Sequence, residues 1–298
     1  MGGDAHGSRV DAPSETARGI RAIKFSLLGL GATAILQAAI VALSGSVALL
    51  ADTIHNLSDA LTAIPLWIAF GLGRRPPTRR YPYGFHRAED LAGILIVLAI
   101  LASAALAGWQ AVMRLAEPHP IEHTSWVAAA GALGFLGNEL VAEYRIRVGR
   151  RIGSAALVAD GQHARTDGLT SLGVVAGAIG AALGYPAADP IAGLAITVAI
   201  LSVLKDAGRQ VVHRIMDGTE ESTIVMFEEV AAAVPGVEHV TDVRARWAGH
   251  RLIGELSIDV DRSLTVEEGH AISERVEAEL RAAIPSLRHA TVHVEPHG

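Results

Sequence analysis

The sequence predicts a membrane protein in two parts: a six-helix α-helical transmembrane bundle followed by a small α+β cytoplasmic domain of order αββαβ. Three observations lead there. Half of the 298 residues are hydrophobic, and they concentrate in the first two thirds of the chain, where a soluble fold would be left with unburied apolar surface. Apolar runs in that region reach about 20 residues, the length that crosses about 30 Å of hydrocarbon. After Val212 the long runs stop, and shorter segments alternate apolar and polar residues, as half-buried strands do.

In chain order, residues 1–19 carry Gly, Asp and Ser without periodicity and are expected to form a disordered tail. Six spans are expected to follow: Ile23 to Leu43, Val47 to Leu72, Ala88 to Leu115, Ser125 to Ile146, Ser154 to Leu183 and Ala188 to Val212. Those that exceed about 20 residues suit tilted helices or helices that emerge into water. The partition is therefore 1–19, a transmembrane domain over 20–213, and a soluble domain over 214–298. No cleavable signal peptide is apparent, because the first 18 residues are polar and the first apolar run is long enough to span.

Orientation follows from the loop arginines. Arg74, Arg75, Arg79, Arg80 and Arg87 fall between spans two and three, Arg145, Arg147, Arg150 and Arg151 between four and five, and Lys205, Arg209 and Arg214 near the end of span six. The other three loops hold neither Lys nor Arg. By the positive-inside rule both termini are cytoplasmic, in a multi-pass protein of the cell's inner (cytoplasmic) membrane. Spans two and five then run antiparallel.

In the soluble domain, Thr219 to Val234 reads as a helix with Thr219 or Ser222 as N-cap and Pro235-Gly236 as stop. His239 to Trp247 and Leu252 to Val260 read as strands joined by a tight turn. Val266 to Ile284 is an amphipathic helix, and Ala290 to Glu295 a third strand. The helices are expected on one face of the sheet. About 80 residues make a marginal core, which a dimer partner would help.

The formal net charge is −6, with arginines beside the apolar runs and acids collected after Asp217. No basic face points to nucleic acid. Cysteine is absent, which excludes disulfides and thiolate sites and leaves His, Asp and Glu as the strong metal ligands.

The segment ADTIHNLSDALT at Ala51 to Thr62 returns as ADGQHARTDGLT at Ala159 to Thr170. Offsets of three, four and seven residues share a helix face, so Asp52, His55 and Asp59 form one polar stripe and Asp160, His163 and Asp167 another. Ionisable groups at membrane depth are costly, and their default reading is functional. A hydrogen-bonded lock between two helices would account for one pair but not for its repeat. Two imidazoles and two carboxylates, His55, Asp59, His163 and Asp167, suit a four-coordinate divalent cation, Zn²⁺ first. Asp52 and Asp160 either line a wet approach or solvate a helix end, and Asn56 lies on the same segment. Gln37 and Asn138 suit interhelical hydrogen bonds, and Glu143 an interfacial charge beside Arg145 and Arg147.

These features predict a divalent metal site within the lipid bilayer, and the leading reading is a transporter of that metal, with Zn²⁺ as its leading cargo and Cd²⁺, Fe²⁺, Co²⁺ and Mn²⁺ as further candidates. An intramembrane zinc metalloenzyme is the second class, but the HExxH arrangement of such an enzyme does not occur. A passive metal channel is the third, sharing the ligands.

With HNLSD and HARTD in spans two and five, YPYGFHRAEDLAG opening span three and a tail ending in VHVEP, the chain resembles the cation diffusion facilitator family. The resemblance covers nearly the whole chain. It implies a homodimeric, proton-coupled exporter that moves a divalent metal from the cytoplasm outward by alternating access, with His55, Asp59, His163 and Asp167 as the transport site of each protomer. It also implies a metallochaperone-like cytoplasmic domain that binds metal and dimerises. Phe85 stands where members with a loop metal site carry His, with His86 shifted by one, and Ser257 replaces a His common in the second strand. His270, His293 and Glu295 match tail ligand positions, with Asp242, His239 and His250 as neighbouring candidates.

Overall fold

A computed structural model describes residues 12–44, 63–116, 124–185 and 187–298. Contacts divide the chain into two compact units, residues 1–209 and 210–298.

The first unit is helical. Its elements are α1 (Ala12–Ser44), α2 (Ala63–Gly73), α3 (Ala88–Ala116), α4 (Thr124–Ile152) and α5 (Ala155–Ala182), with α6 (Ala188–Ile215) running to the end of the unit and beyond. Four helical stretches are long and apolar enough to cross a membrane: Glu15–Ile40, Ala88–Ala116, Thr124–Ile152 and Ala188–Ile215. These are four of the six expected spans, counted among the described residues. α5 has the length, at 28 residues, but carries Asp160, His163, Arg165 and Asp167. α2 is described over 11 residues, and the rest of the second expected span lies outside the described residues. Large apolar side chains face outward all along these helices, Leu28, Trp109, Leu140 and Val198 among them at 66–73% exposed, as expected when the solvent is lipid.

α1 starts at Ala12, inside the stretch expected to be tail. Pro13 falls in the first turn, where its missing N–H costs no helical bond. Farther along, Gly19 lies against Phe70 of α2, so closely that a Cβ would stand 2.7 Å from the ring. Residues 12–19 are therefore helical where a disordered tail was expected, with packing against α2 at Gly19. The buried Gln37 of α1 donates from Nε2 to the Ala130 carbonyl of α4 at 3.3 Å, the interhelical bond its position suggested. α5 is the most enclosed helix, packing on α4, α3 and the described part of α2.

The second unit has the expected order: α7 (Glu221–Ala232), β1 (His239–Ala248), β2 (Arg251–Val260), α8 (Val266–Ala283) and β3 (Leu287–Pro296). The sheet order is β1-β2-β3, with β1 antiparallel and β3 parallel to β2. Gly249, at φ +59, makes the tight turn between β1 and β2. A bulge interrupts β1 between Thr241 and Arg244, and there Asp242 takes φ +49. One core joins Phe227 of α7, Leu252, Leu256 and Ile258 of β2, Ile272, Val276 and Leu280 of α8, and Ala290 of β3, so both helices cover the same face.

The N-cap of α7 is Glu220, without a side-chain capping bond, rather than Thr219 or Ser222. The Glu220 carboxylate instead accepts from Trp247 Nε1 at 3.4 Å. β3 begins three residues earlier than expected, because Arg288 and His289 hide the continuation to the buried Leu287.

α8 opens with a capping box. The Thr265 hydroxyl accepts from Glu268 N–H at 3.2 Å, and the Glu268 carboxylate accepts from Thr265 N–H at 2.8 Å. That backbone N–H, followed by the Thr265 hydroxyl, holds the Glu268 carboxyl below its ordinary range. A lowered carboxylate pKa adds stability that is present above the ordinary value and lost as pH falls through the lowered one. Thr265→Ala is expected to cost the tail about 1 kcal/mol in urea unfolding followed on Trp247. The gap between wild type and variant should narrow in acid as Glu268 protonates.

Candidate metal transport site

α5 carries the second polar stripe, and its surroundings set where that stripe stands. Only Gly153 and Ser154 separate α4 from α5. Gly153 takes φ +72, a left-handed conformation that suits a residue without a Cβ and ends a helix. Ser154 N–H then donates to the Gly149 carbonyl at 2.8 Å, closing α4. The Ser154 side chain caps α5 by accepting from Leu157 N–H at 3.1 Å and donates to the buried Glu89 of α3. Two linking residues therefore end one helix, start the next and tie both to a third.

Small residues let α4 and α5 approach closely. A Cβ on Gly161 would stand 2.7 Å from Ile146 Cγ1, and one on Gly149 2.9 Å from Val158 Cγ2. Such contacts replace the hydrophobic driving force that is missing between helices in lipid. The Thr166 hydroxyl donates back to the His163 carbonyl at 2.7 Å, and that of Thr170 to Thr166 at 3.0 Å, so neither takes up the stripe's side chains.

His163 is 2% exposed, and among the described residues neither ring nitrogen has a hydrogen-bond partner. Its Nδ1 lies 3.8 Å from Oδ1 of the buried Asp167, beyond hydrogen-bond length. A tetrahedral cation at about 2.0–2.2 Å from its ligands keeps them about 3.3–3.6 Å apart. The pair is close to that spacing. A buried imidazole with both nitrogens unbonded is costly as a structural group and is well suited to receiving an ion.

His55, Asp59, Asp52 and Asn56 lie outside the described residues. Among the described residues no three His, Asp or Glu side chains already close around a point. Of the four expected ligands, His163 and Asp167 are the two that lie among the described residues.

Asp160 is fully buried, with Oδ2 3.1 Å from Nη1 of the equally buried Arg145. Arg145 was counted among the loop charges, yet it lies within α4, seven residues before its end. The sequence held a signal for this pair. Arg145 stands eight residues before Gly153 and Asp160 seven after it, and a two-residue link folds such positions onto each other. Sequence reasoning also missed Arg165, whose Nη2 contacts Glu139 at 2.6 Å and Glu143 at 3.1 Å. Arg147 contacts Glu143 at 2.6 Å as well, so Glu143 belongs to a network spanning α4 and α5.

In the tail, His293 stands 3.6 Å from Glu295 with its side chain 70% exposed. His270 lies 3.6 Å from Glu274 and shares a surface hollow with Glu295. Asp242, at the bulge, is 3.9 Å from Arg244, and His250 is buried in the β1–β2 turn. His239 stacks near His297 with ring centroids 4.8 Å apart, and His297 reaches Asp259 at 3.4 Å and Glu238 at 3.5 Å. His297, Asp259 and Glu238 were not anticipated. Only the strand register, which sets His239 opposite Asp259, reveals them.

Residues 23–216 match the model of the cation efflux transmembrane domain, and residues 219–297 that of the cation efflux protein cytoplasmic domain. The chain belongs to the cation diffusion facilitator family. As a facilitator it is a multi-pass membrane transporter of divalent metal, not an enzyme. Among its relatives is a "probable cation efflux system protein" of Mycobacterium tuberculosis, 56% identical over 99% of this chain and 90% of that protein. Another is the manganese efflux system protein MneS of Bacillus subtilis, 24% identical over 84% of this chain and 86% of that protein. A solved cadmium form of the MamM CTD is 35% identical over 26% of this chain and 98% of that one, with a TM-score of 0.26.

If the α5 pair holds the cargo, His163→Ala and Asp167→Asn should each weaken metal binding beyond the about 10–100-fold cost of losing an outer-sphere partner. Calorimetric titration of the purified chain with Zn²⁺ measures this. Binding within threefold of wild type in both variants would remove the pair from the site.

Proposed function

We infer that this facilitator exports a divalent cation, zinc first, from the cytoplasm in exchange for protons. His55, Asp59, His163 and Asp167 form one site in each protomer of a homodimer. Both termini are cytoplasmic in the cell's inner membrane, and the transmembrane domain of 20–213 is followed by the cytoplasmic domain of 214–298. The observation that carries this reading is the unbonded, buried imidazole of His163 set 3.8 Å from Asp167. Zinc leads because two imidazoles with two carboxylates suit a borderline ion in four-coordination, and the carboxylates cancel its charge in a low-dielectric site. Manganese is the second candidate, supported by the relative named for manganese efflux.

Proton coupling follows from competition for the same atoms. An unperturbed imidazole titrates near pH ~6.5, and an imidazolium cannot ligate. Metal entering from a neutral cytoplasm meets free nitrogens and displaces any proton there. A more acidic medium on the far side returns the proton and helps to release the ion. A passive channel would have no such dependence.

In proteoliposomes, apparent metal affinity should fall as pH drops from about 7.5 to about 6, and a proton gradient directed against the metal movement should accelerate zinc flux. Flux indifferent to the imposed gradient would contradict the exchange. In the tail, His270, His293 and Glu295 are the metal-binding candidates. Metal held there can draw two tails together only by as much as it prefers the closed form. Spin labels on the two tails of a dimer should therefore approach on adding Zn²⁺, and the shift should vanish in His293→Ala. Distances unchanged by zinc would remove the tail's regulatory role.

A further inference from the structure

Asp160 stands on the face of α5 that carries His163 and Asp167, three residues from the former, yet it contacts an arginine. Arg145 Nη1 is 3.1 Å from Asp160 Oδ2, with side-chain exposures of 2% and 0%. The pair is an ion pair without a hydrogen bond: among the described residues Nε and Nη2 of Arg145 and both carboxylate oxygens of Asp160 have no hydrogen-bond partner. A buried guanidinium and carboxylate kept for cohesion normally make two parallel bonds and satisfy their remaining valences elsewhere. A single contact with spare valences on both partners suits an exchangeable pair.

We propose that Asp160 is an entry ligand for the divalent cation and that Arg145 is its resident counter-charge, displaced when the cation arrives. This rests on the reading of His163 and Asp167 as cargo ligands, since Asp160 is the next acid on their stripe toward the α4–α5 link. With the stripe empty, one guanidinium neutralises one carboxylate. A dication at the same carboxylate brings two positive charges and repels the guanidinium strongly in a low-dielectric interior, so the two exclude each other. Arg145 has a way out: it is seven residues from the end of α4, about 10 Å at 1.5 Å per residue. A long side chain can swing its head toward that end while its stem stays packed. The carboxylate is thus kept neutralised between transport events without a bound ion.

The test uses the full-length chain in detergent, with Zn²⁺ and Mn²⁺ as probes and the metal concentration of half-maximal thermal stabilisation as the readout. Arg145→Met keeps the length and removes the competitor, so its half-saturating concentration should fall by about 10-fold or more, while Asp160→Asn should raise it by about 10–100-fold. Affinity in Arg145→Met equal to or weaker than wild type would overturn the proposal, leaving the pair a structural lock. Arg145→Met that folds only with zinc present would support it, because the cation then replaces the missing guanidinium. If Arg145→Met fails to fold under any condition, the charge-swapped Arg145→Asp/Asp160→Arg variant decides. A static ion pair works in either direction, so recovery of both folding and wild-type metal affinity would overturn the proposal, and recovery of folding alone would support it. Asp167→Ala separates the two readings: unchanged metal affinity there defeats the cargo-site assignment and this proposal with it. Lost affinity there, with none of the expected change in Arg145→Met, defeats this proposal alone.

Discussion

Ionisable side chains in a low-dielectric interior must be paired, hydrated or bound to an ion, and the first unit is arranged around that requirement. α5 places Asp160, His163 and Asp167 along one face and buries all three. Asp160 meets the requirement through Arg145. His163 does not meet it from the described residues, since both of its nitrogens are unbonded. An isolated buried charge would cost many kcal/mol, so buried carboxylates call for a counter-charge. In the proposed function a divalent cation would supply it at His163 and Asp167, and it would use an imidazole lone pair that no donor takes among the described residues.

That chemistry depends on a rigid frame of unremarkable parts. The Gly153-Ser154 link makes α4 and α5 an antiparallel hairpin, and Glu89 of α3 fastens its start through the Ser154 hydroxyl. Gly149 and Gly161 bring the two helices close enough for Arg145 to reach Asp160. A side chain added at either glycine would push the helices apart at the level of the stripe. The Arg165, Glu139, Glu143 and Arg147 network joins the same two helices, so the hairpin is held by charge as well as by packing.

Much of this was legible in the sequence because the signals are local and periodic. The repeated Asp, His and Asp spacing marked the stripe on α5, alternation marked β2, and Pro235-Gly236 marked the end of α7. Where reading failed, the deciding contact was tertiary. α1 packs against Phe70 at Gly19, and Glu220, which Trp247 engages, stands as the N-cap of α7 in place of the expected residues. Arg145 was read as a loop charge because arginine near an apolar run usually is one, whereas the two-residue link makes it the mirror partner of Asp160. α5 carries more charge than the other long helices, with Asp160, His163, Arg165 and Asp167, and most of the second expected span lies outside the described residues.

The central claim is that the stripes of spans two and five make one site rather than two. The most direct test is the number of tightly bound zinc ions per protomer in Asp59→Ala, in Asp167→Ala and in the double variant, each against wild type. A shared site predicts that each single variant loses the same one ion and that the double variant loses no more. Loss of a different ion in each single variant, adding to two in the double, would contradict the account.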